Sequence, residues 1–183
     1  GCEKEWTTII SESELSVVRL EPINSTGSGT VIKEEEDYIY VLTNTHVIAP
    51  TSSTGELLAQ SQFINSESRI CLSNKGEEDC ELKDVQIFTS NLEDDYAGDL
   101  SILKFKTKLK LKPIKLSLDE PKLGEEVFAL GYPLGLQTLN STRGAISSIP
   151  STYLIQVDAA INEGNSGGAT INKKGDVIGI NTL

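Results

Sequence analysis

Asp158-Ala159-Ala160-Ile161-Asn162-Glu163-Gly164-Asn165-Ser166-Gly167-Gly168 is the stretch on which the reading of this chain turns. A serine hydroxyl is a poor nucleophile at neutral pH, so it needs an adjacent base and backbone N–H groups that converge on a developing oxyanion. Glycines on both sides of Ser166 permit the tight backbone that aims successive N–H groups at one point. Taken alone the run is equally a loop, and its meaning depends on partners elsewhere in the chain.

His46 is the sole histidine, so an imidazole-dependent serine hydrolase has one candidate base. It stands in Val41-Leu42-Thr43-Asn44-Thr45-His46-Val47-Ile48, where an apolar strand runs into a polar turn and a side chain can project into a cleft. A lone histidine is more often satisfied inside a core by a backbone partner. The third member must be a carboxylate that accepts the other imidazole N–H and so fixes the tautomer. Asp99 heads Asp99-Leu100-Ser101-Ile102-Leu103-Lys104, directly before a strand of buried character; by position alone it is equally a turn residue. Asp94 and Asp95 read as solvated loop charges.

Around these residues the chain is patterned as short strands. Signals fall at 16–20, 29–32, 38–43, 68–73, 85–89 and 100–106, with turn clusters between them and no convincing long amphipathic helix. The alternation stops near 113–124 and resumes at 127–130, 142–147, 154–157, 169–171 and 177–181. The expectation is an all-β protein of two lobes, 1–115 carrying His46 and Asp99 and 116–183 carrying Ser166.

Composition narrows the partners. The 183 residues hold 38% hydrophobic and 23% charged side chains, the balance of a folded chain, and the net charge of -11 opposes phosphate backbones and anionic lipid. Nucleic acid is not an expected partner. The Lys-rich stretch 104–115 alternates with apolar residues as a strand with a solvated outer face does. No apolar run reaches the roughly 18 residues of a membrane-spanning helix. Gly1-Cys2 resembles the junction at which a bacterial lipoprotein leader is cut and its Cys acylated, the alternative being an ordinary thiol. Cys71 and Cys80 flank a turn. A two-residue loop at Lys75-Gly76 sets them opposite each other and makes a disulfide feasible, as in an oxidising compartment, whereas a three-residue loop leaves two thiols.

The segments Gly27-Ser28-Gly29-Thr30-Val31-Ile32, Leu42-Thr43-Asn44-Thr45-His46-Val47, Asp99-Leu100-Ser101-Ile102-Leu103, Leu123 to Leu136, Asp158 to Gly168 and Gly175 to Thr182 occur in that order. The series resembles the protease domain of the HtrA/Deg-type serine proteases, a branch of the trypsin-like, chymotrypsin-fold group. The resemblance implies two antiparallel six-stranded β-barrels with a His46, Asp99, Ser166 triad between them and an oxyanion hole on the N–H groups of Gly164 and Ser166. It implies a serine endopeptidase acting on polypeptides through an acyl-enzyme, in protein quality control or processing, with no cofactor and no metal. Ala160 and Ile161 would lie at the base of the specificity pocket, favouring a small or aliphatic residue before the cleaved bond. Asn181, Thr182 and Leu183 would pair with an extended substrate. Because the imidazole must be neutral to act as a base, activity is expected to fall on acidification.

Several positions depart from that pattern. Asn165 replaces the Asp that receives a new N-terminus in trypsin, so activation by N-terminal insertion is not expected. Glu163 stands where such proteases usually have Pro, bringing a negative charge beside the cleft and a bias on substrate choice. The sequence ends at Leu183, 17 residues after Ser166, where such proteases continue with a strand and a helix that close the second barrel; the expectation is a fragment, a barrel completed by a partner segment, or an unusual fold. The rival reading is a catalytically impaired peptide-binding module on the same barrel; a glutamate-specific endopeptidase fits less well because its pocket tends to hold a His or Thr. The resemblance is compatible with an extracytoplasmic, secreted, periplasmic or lipid-anchored protein and with a homo-oligomer, although the short segment before Ser16 gives no argument for one. Asn24-Ser25-Thr26 and Asn140-Ser141-Thr142 fit the glycosylation sequon.

Overall fold

The computed structural model describes residues 4–22, 25–48, 68–82, 85–90, 99–134 and 136–182. Cys2, Asn24, Asp94, Asp95 and Leu183 lie outside them. After α1 (Trp6–Ser13), strands β1 (Val17–Glu21), β2 (Gly27–Glu35) and β3 (Tyr38–Thr43) lead to a short helix, α2 (Thr45–Ile48). Then come β4 (Arg69–Asn74), β5 (Glu77–Leu82), β6 (Gln86–Ser90) and β7 (Ser101–Lys106). The second set is β8 (Glu126–Gly131), β9 (Asn140–Ser151), β10 (Leu154–Val157), β11 (Ala169–Ile171) and β12 (Val177–Ile180).

These strands form two antiparallel sheets, ordered β5-β4-β1-β2-β3-β7-β6 and β10-β9-β8-β11-β12. The all-β expectation holds, and the second sheet is a half-barrel, but the division among the described residues is seven and five strands instead of six and six. Sequence alternation explains the faces. In β3 and β7, Ile39, Val41, Leu103 and Phe105 turn inward, while Tyr38, Tyr40, Lys104 and Lys106 turn outward and stack as aromatic rings beneath ammonium groups. The strand ends at Lys106, so the Lys-rich continuation to 115 is connecting chain, not strand.

Two of the tight hairpins use left-handed backbone. Glu36 and Asp37 join β2 to β3 at φ 51 and 68, and Lys75 and Gly76 join β4 to β5 at φ 52 and 82. The second turn is the two-residue loop. It sets Cys71 opposite Cys80, and a disulfide joins them.

Two cores separate along the chain. One gathers Val18, Val31, Val41, Val47, Ile70 and Phe105, all from the seven-stranded side. The other gathers Leu130, Tyr132, Ile171 and Val177, together with Ile9 of α1 and Val17 of β1. Trp6 stacks on Phe128 with ring centroids 4.7 Å apart. The chain's first helix therefore packs with the second core, across the boundary drawn at 115 from the sequence. Each fully buried aliphatic side chain contributes about 1.5–3 kcal/mol, so α1 is held by this packing more than by its own eight residues. Among the described residues, no helix is long and apolar enough to cross a membrane.

Candidate active site

Strand register brings His46 to Asp99. β3 and β7 are antiparallel neighbours with Thr43 opposite Ser101, so residues just past 43 face residues just before 101. Thr45 N–H donates to the Asp99 carbonyl at 3.3 Å, and Asn44 Nδ2 donates to the same oxygen at 2.9 Å. Asp99 is thereby held by its main chain while its carboxylate takes the histidine at two points. The His46 N–H donates to Oδ1 at 2.9 Å, and Nδ1 lies 2.6 Å from Oδ2. This fixes Nδ1 as the protonated ring nitrogen and leaves Nε2 with its lone pair toward the cleft.

Ser166 is set by turns. Gly164 and Gly167 adopt φ 92 and 90, and a Cβ at either would strike backbone: the Tyr132 carbonyl for Gly164, the Ser28 carbonyl for Gly167. β2 reaches across and pins the turn. Ser28 N–H donates to the Ser166 carbonyl at 2.8 Å, Ser28 Oγ to the Gly164 carbonyl at 2.7 Å, and Thr30 Oγ1 to the Gly167 carbonyl at 3.1 Å. Asn165 N–H closes a turn onto Asn162, and Gly168 N–H onto Asn165. The N–H groups of Gly164 and Ser166 have no acceptor among the described residues. Asn165 is buried at 3% exposure, and its Oδ1 has no partner among the described residues.

Ser166 and His46 line one cleft of about 570 Å³ with Ser25, Thr26, Leu134, Glu163 and Gly164. The Ser166 hydroxyl and His46 Nε2 do not bond to each other here; apo hydroxyl-imidazole pairs are often loose until substrate enters. Tyr132 precedes Leu134 on the cleft wall. Its buried hydroxyl accepts from Ser73 N–H and donates to the Val17 carbonyl, and burial raises its pKa to about 12.

The remaining sequence candidates divide. Ala160 is exposed and Ile161 half-buried, and neither lines the cleft. Asn181 departs from the expected substrate contact: it is 3% exposed, its N–H donates to the Gly168 carbonyl, and its carbonyl accepts from Gly167 N–H. Its side chain donates to the Leu130 carbonyl and accepts from Thr170 Oγ1, so it braces the serine turn from behind. Thr182 is exposed and accepts from Asn44 Nδ2 at 3.0 Å. Sequence reasoning passed over Ser28, Asn44 and Asn181 as braces; the signal available was a hydroxyl or amide residue inside an otherwise apolar motif.

Comparison with known proteins gives the family of the chain. The family described as "Trypsin-like peptidase domain" matches residues 27–180. The "Serine protease Do-like HtrA" of Lactococcus lactis subsp. lactis (strain IL1403) is 34% identical over 174 residues, covering 86% of this chain and 37% of that protein. The "Periplasmic pH-dependent serine endoprotease DegQ" of Escherichia coli (strain K12) is 34% identical over 173 residues, covering 88% and 32%. The chain thus spans about a third of the length of these relatives. The crystal structure of Deg5 superposes with a TM-score of 0.74 at 32% identity, covering 97% of this chain and 83% of that one. A serine endoprotease from Yersinia pestis gives 0.68 at 29% identity, covering 100% and 59%.

Proposed function

The chain belongs to the trypsin-like peptidase family, of the HtrA/Deg type, and on that premise we propose that it is a serine endopeptidase working through Ser166, His46 and Asp99. The observation that carries the reading is the two-point grip of Asp99 on His46, in the same cleft as a serine set between two left-handed glycines.

In this mechanism Ser166 Oγ attacks the scissile carbonyl carbon while His46 Nε2 takes its proton. The imidazolium that forms is stabilised by Asp99. The oxygen of the tetrahedral intermediate accepts from the N–H groups of Gly164 and Ser166, which are unengaged by other described residues. Collapse expels the amine, protonated by His46, and leaves an acyl-enzyme. Water, deprotonated by the same imidazole, then releases the acid and restores the serine.

Extended substrate pairs with the main chain at Thr182 and Leu183, with Asn181 excluded because its own groups are engaged. A preference for a small or aliphatic residue before the cleaved bond is part of this proposal and rests on the family resemblance alone, since Ala160 and Ile161 are not among the residues lining the cleft. We assign the activity to an extracytoplasmic compartment, in protein quality control or processing; the Cys71–Cys80 disulfide and the periplasmic names of relatives support this. Acylation at Cys2 and self-association are parts of the same proposal.

Turnover of casein tests it. Ser166→Ala should lower the rate by about 10³-fold or more with the melting temperature unchanged. A variant that cleaves at the original rate ends the proposal, and a wild type that binds peptides without cutting them makes the chain a binding module.

A further inference from the structure

Among the described residues lining the cleft, Glu163 is the one carboxylate. Its position is built and not accidental. The Glu163 carbonyl accepts from Leu134 N–H at 3.0 Å, and the next carbonyl, of Gly164, accepts from buried Ser28 Oγ at 2.7 Å. The backbone on which the side chain hangs is thereby pinned to the cleft wall on one side and to β2 on the other. The side chain itself is exposed, and no described cation pairs with it. Among the described residues, no Lys or Arg lines the cleft. A negative group three residues before Ser166, on a pinned backbone in a protein of net charge -11, meets an incoming chain at short range, with the wider field adding to it.

We propose that Glu163 is a specificity-determining residue, selecting polypeptides with Lys or Arg adjacent to the residue cut and rejecting those with Asp or Glu there. The inference rests on the endopeptidase reading of the site. The cation lies at the rim of the cleft, where its aliphatic stem runs along the wall and its head stays partly hydrated. Two unit charges about 6 Å apart at an effective dielectric between those of a protein surface and water favour association about fivefold, so Lys exceeds Gln by about fivefold and Glu falls below Gln by a similar factor. Arg gains further from its bidentate fork.

The test is a set of quenched-fluorescence peptides with Val before the bond and Lys, Gln or Glu placed in turn at each of the two neighbouring positions on either side. The quantity read is the ratio of kcat/KM for Lys, Gln and Glu peptides within one enzyme. Wild type should prefer Lys over Glu by about 10- to 25-fold at one or more positions, Glu163→Gln should flatten the ratio toward one, and Glu163→Lys should invert it. About 1 M salt should flatten the wild-type ratio as well. A wild type that cuts all three peptides equally, or a preference that survives Glu163→Gln, overturns the inference and leaves the endopeptidase reading standing. Failure to cut any peptide removes both.

Discussion

The two sheets secure their shares of the site by different means. On the seven-stranded side, His46 and Asp99 are neighbours because β3 and β7 pair through six consecutive residues, ending with Thr43 opposite Ser101. Backbone ladder sets that distance, and side chains only complete it. On the five-stranded side no ladder reaches Ser166. Its turn is held by two glycines and by hydrogen bonds from Ser28 and Thr30, which belong to the other sheet, and from Asn181. A site half set by register should keep its shape when a side chain is changed and lose only chemistry. A half set by a few pins should lose shape when one pin is removed.

Asp99→Asn tests the first half and carries the larger effect. The Asp99 carbonyl would still accept from Thr45 and Asn44, so fold and cleft should persist. The new amide would donate to Nδ1, which forces the ring proton onto Nε2 and leaves nothing to accept the Ser166 proton. The expected result is a loss of about 10³–10⁴-fold in kcat with the urea midpoint unchanged. A loss of stability equal to the loss of activity would show that the ladder does not hold the geometry unaided.

Ser28→Ala tests the second half. It strips the Gly164 carbonyl of a donor and the Tyr132 N–H of its acceptor at 2.9 Å, both in buried surroundings. The expected cost is about 2–4 kcal/mol in urea denaturation, with a fall in kcat of about 10–100-fold from a loosened serine turn. If stability falls but the rate per folded molecule does not, the turn is held by its glycines alone.

The smallest effect is alkaline and belongs to the wall between the halves. Tyr132 keeps its proton to about pH 12 in the folded chain, against 10.0 for an ordinary tyrosine. Between those values the unfolded state has lost a proton that the folded state retains, so stability is fully present below pH 10 and declines as pH rises through 12. Tyr132→Phe should remove about 2–3 kcal/mol of that alkaline decline in parallel denaturation curves. Identical curves for the two proteins would show that the hydroxyl does not titrate with unfolding.

What could be read beforehand follows the same division. Strands with apolar alternation, such as β3 and β7, were legible, and so was the order of the motifs bearing His46, Asp99 and Ser166. β5 carried no strand signal of its own, because Glu77, Glu78, Asp79 and Glu81 are acidic; it was legible only as the second arm of a hairpin setting Cys71 opposite Cys80, and it forms as a sheet-edge partner of β4. α1 was not legible, because only Ile9 and Ser13 are buried along its length and, Val17 apart, the buried residues of its core lie more than a hundred residues away. Asn181 sits in a motif that borders the cleft, yet its contacts with Leu130, Thr170 and the serine turn are set by tertiary packing that no local pattern encodes.

Labelling with a fluorophosphonate probe asks most directly whether the two halves make one working nucleophile, since the probe reacts with an activated serine and not with an ordinary hydroxyl. Mass spectrometry of the wild-type digest should place one adduct on Ser166, and the adduct should vanish in His46→Ala while the protein stays folded. Absence of label on a folded wild type, or labelling undiminished by loss of His46, would contradict the account.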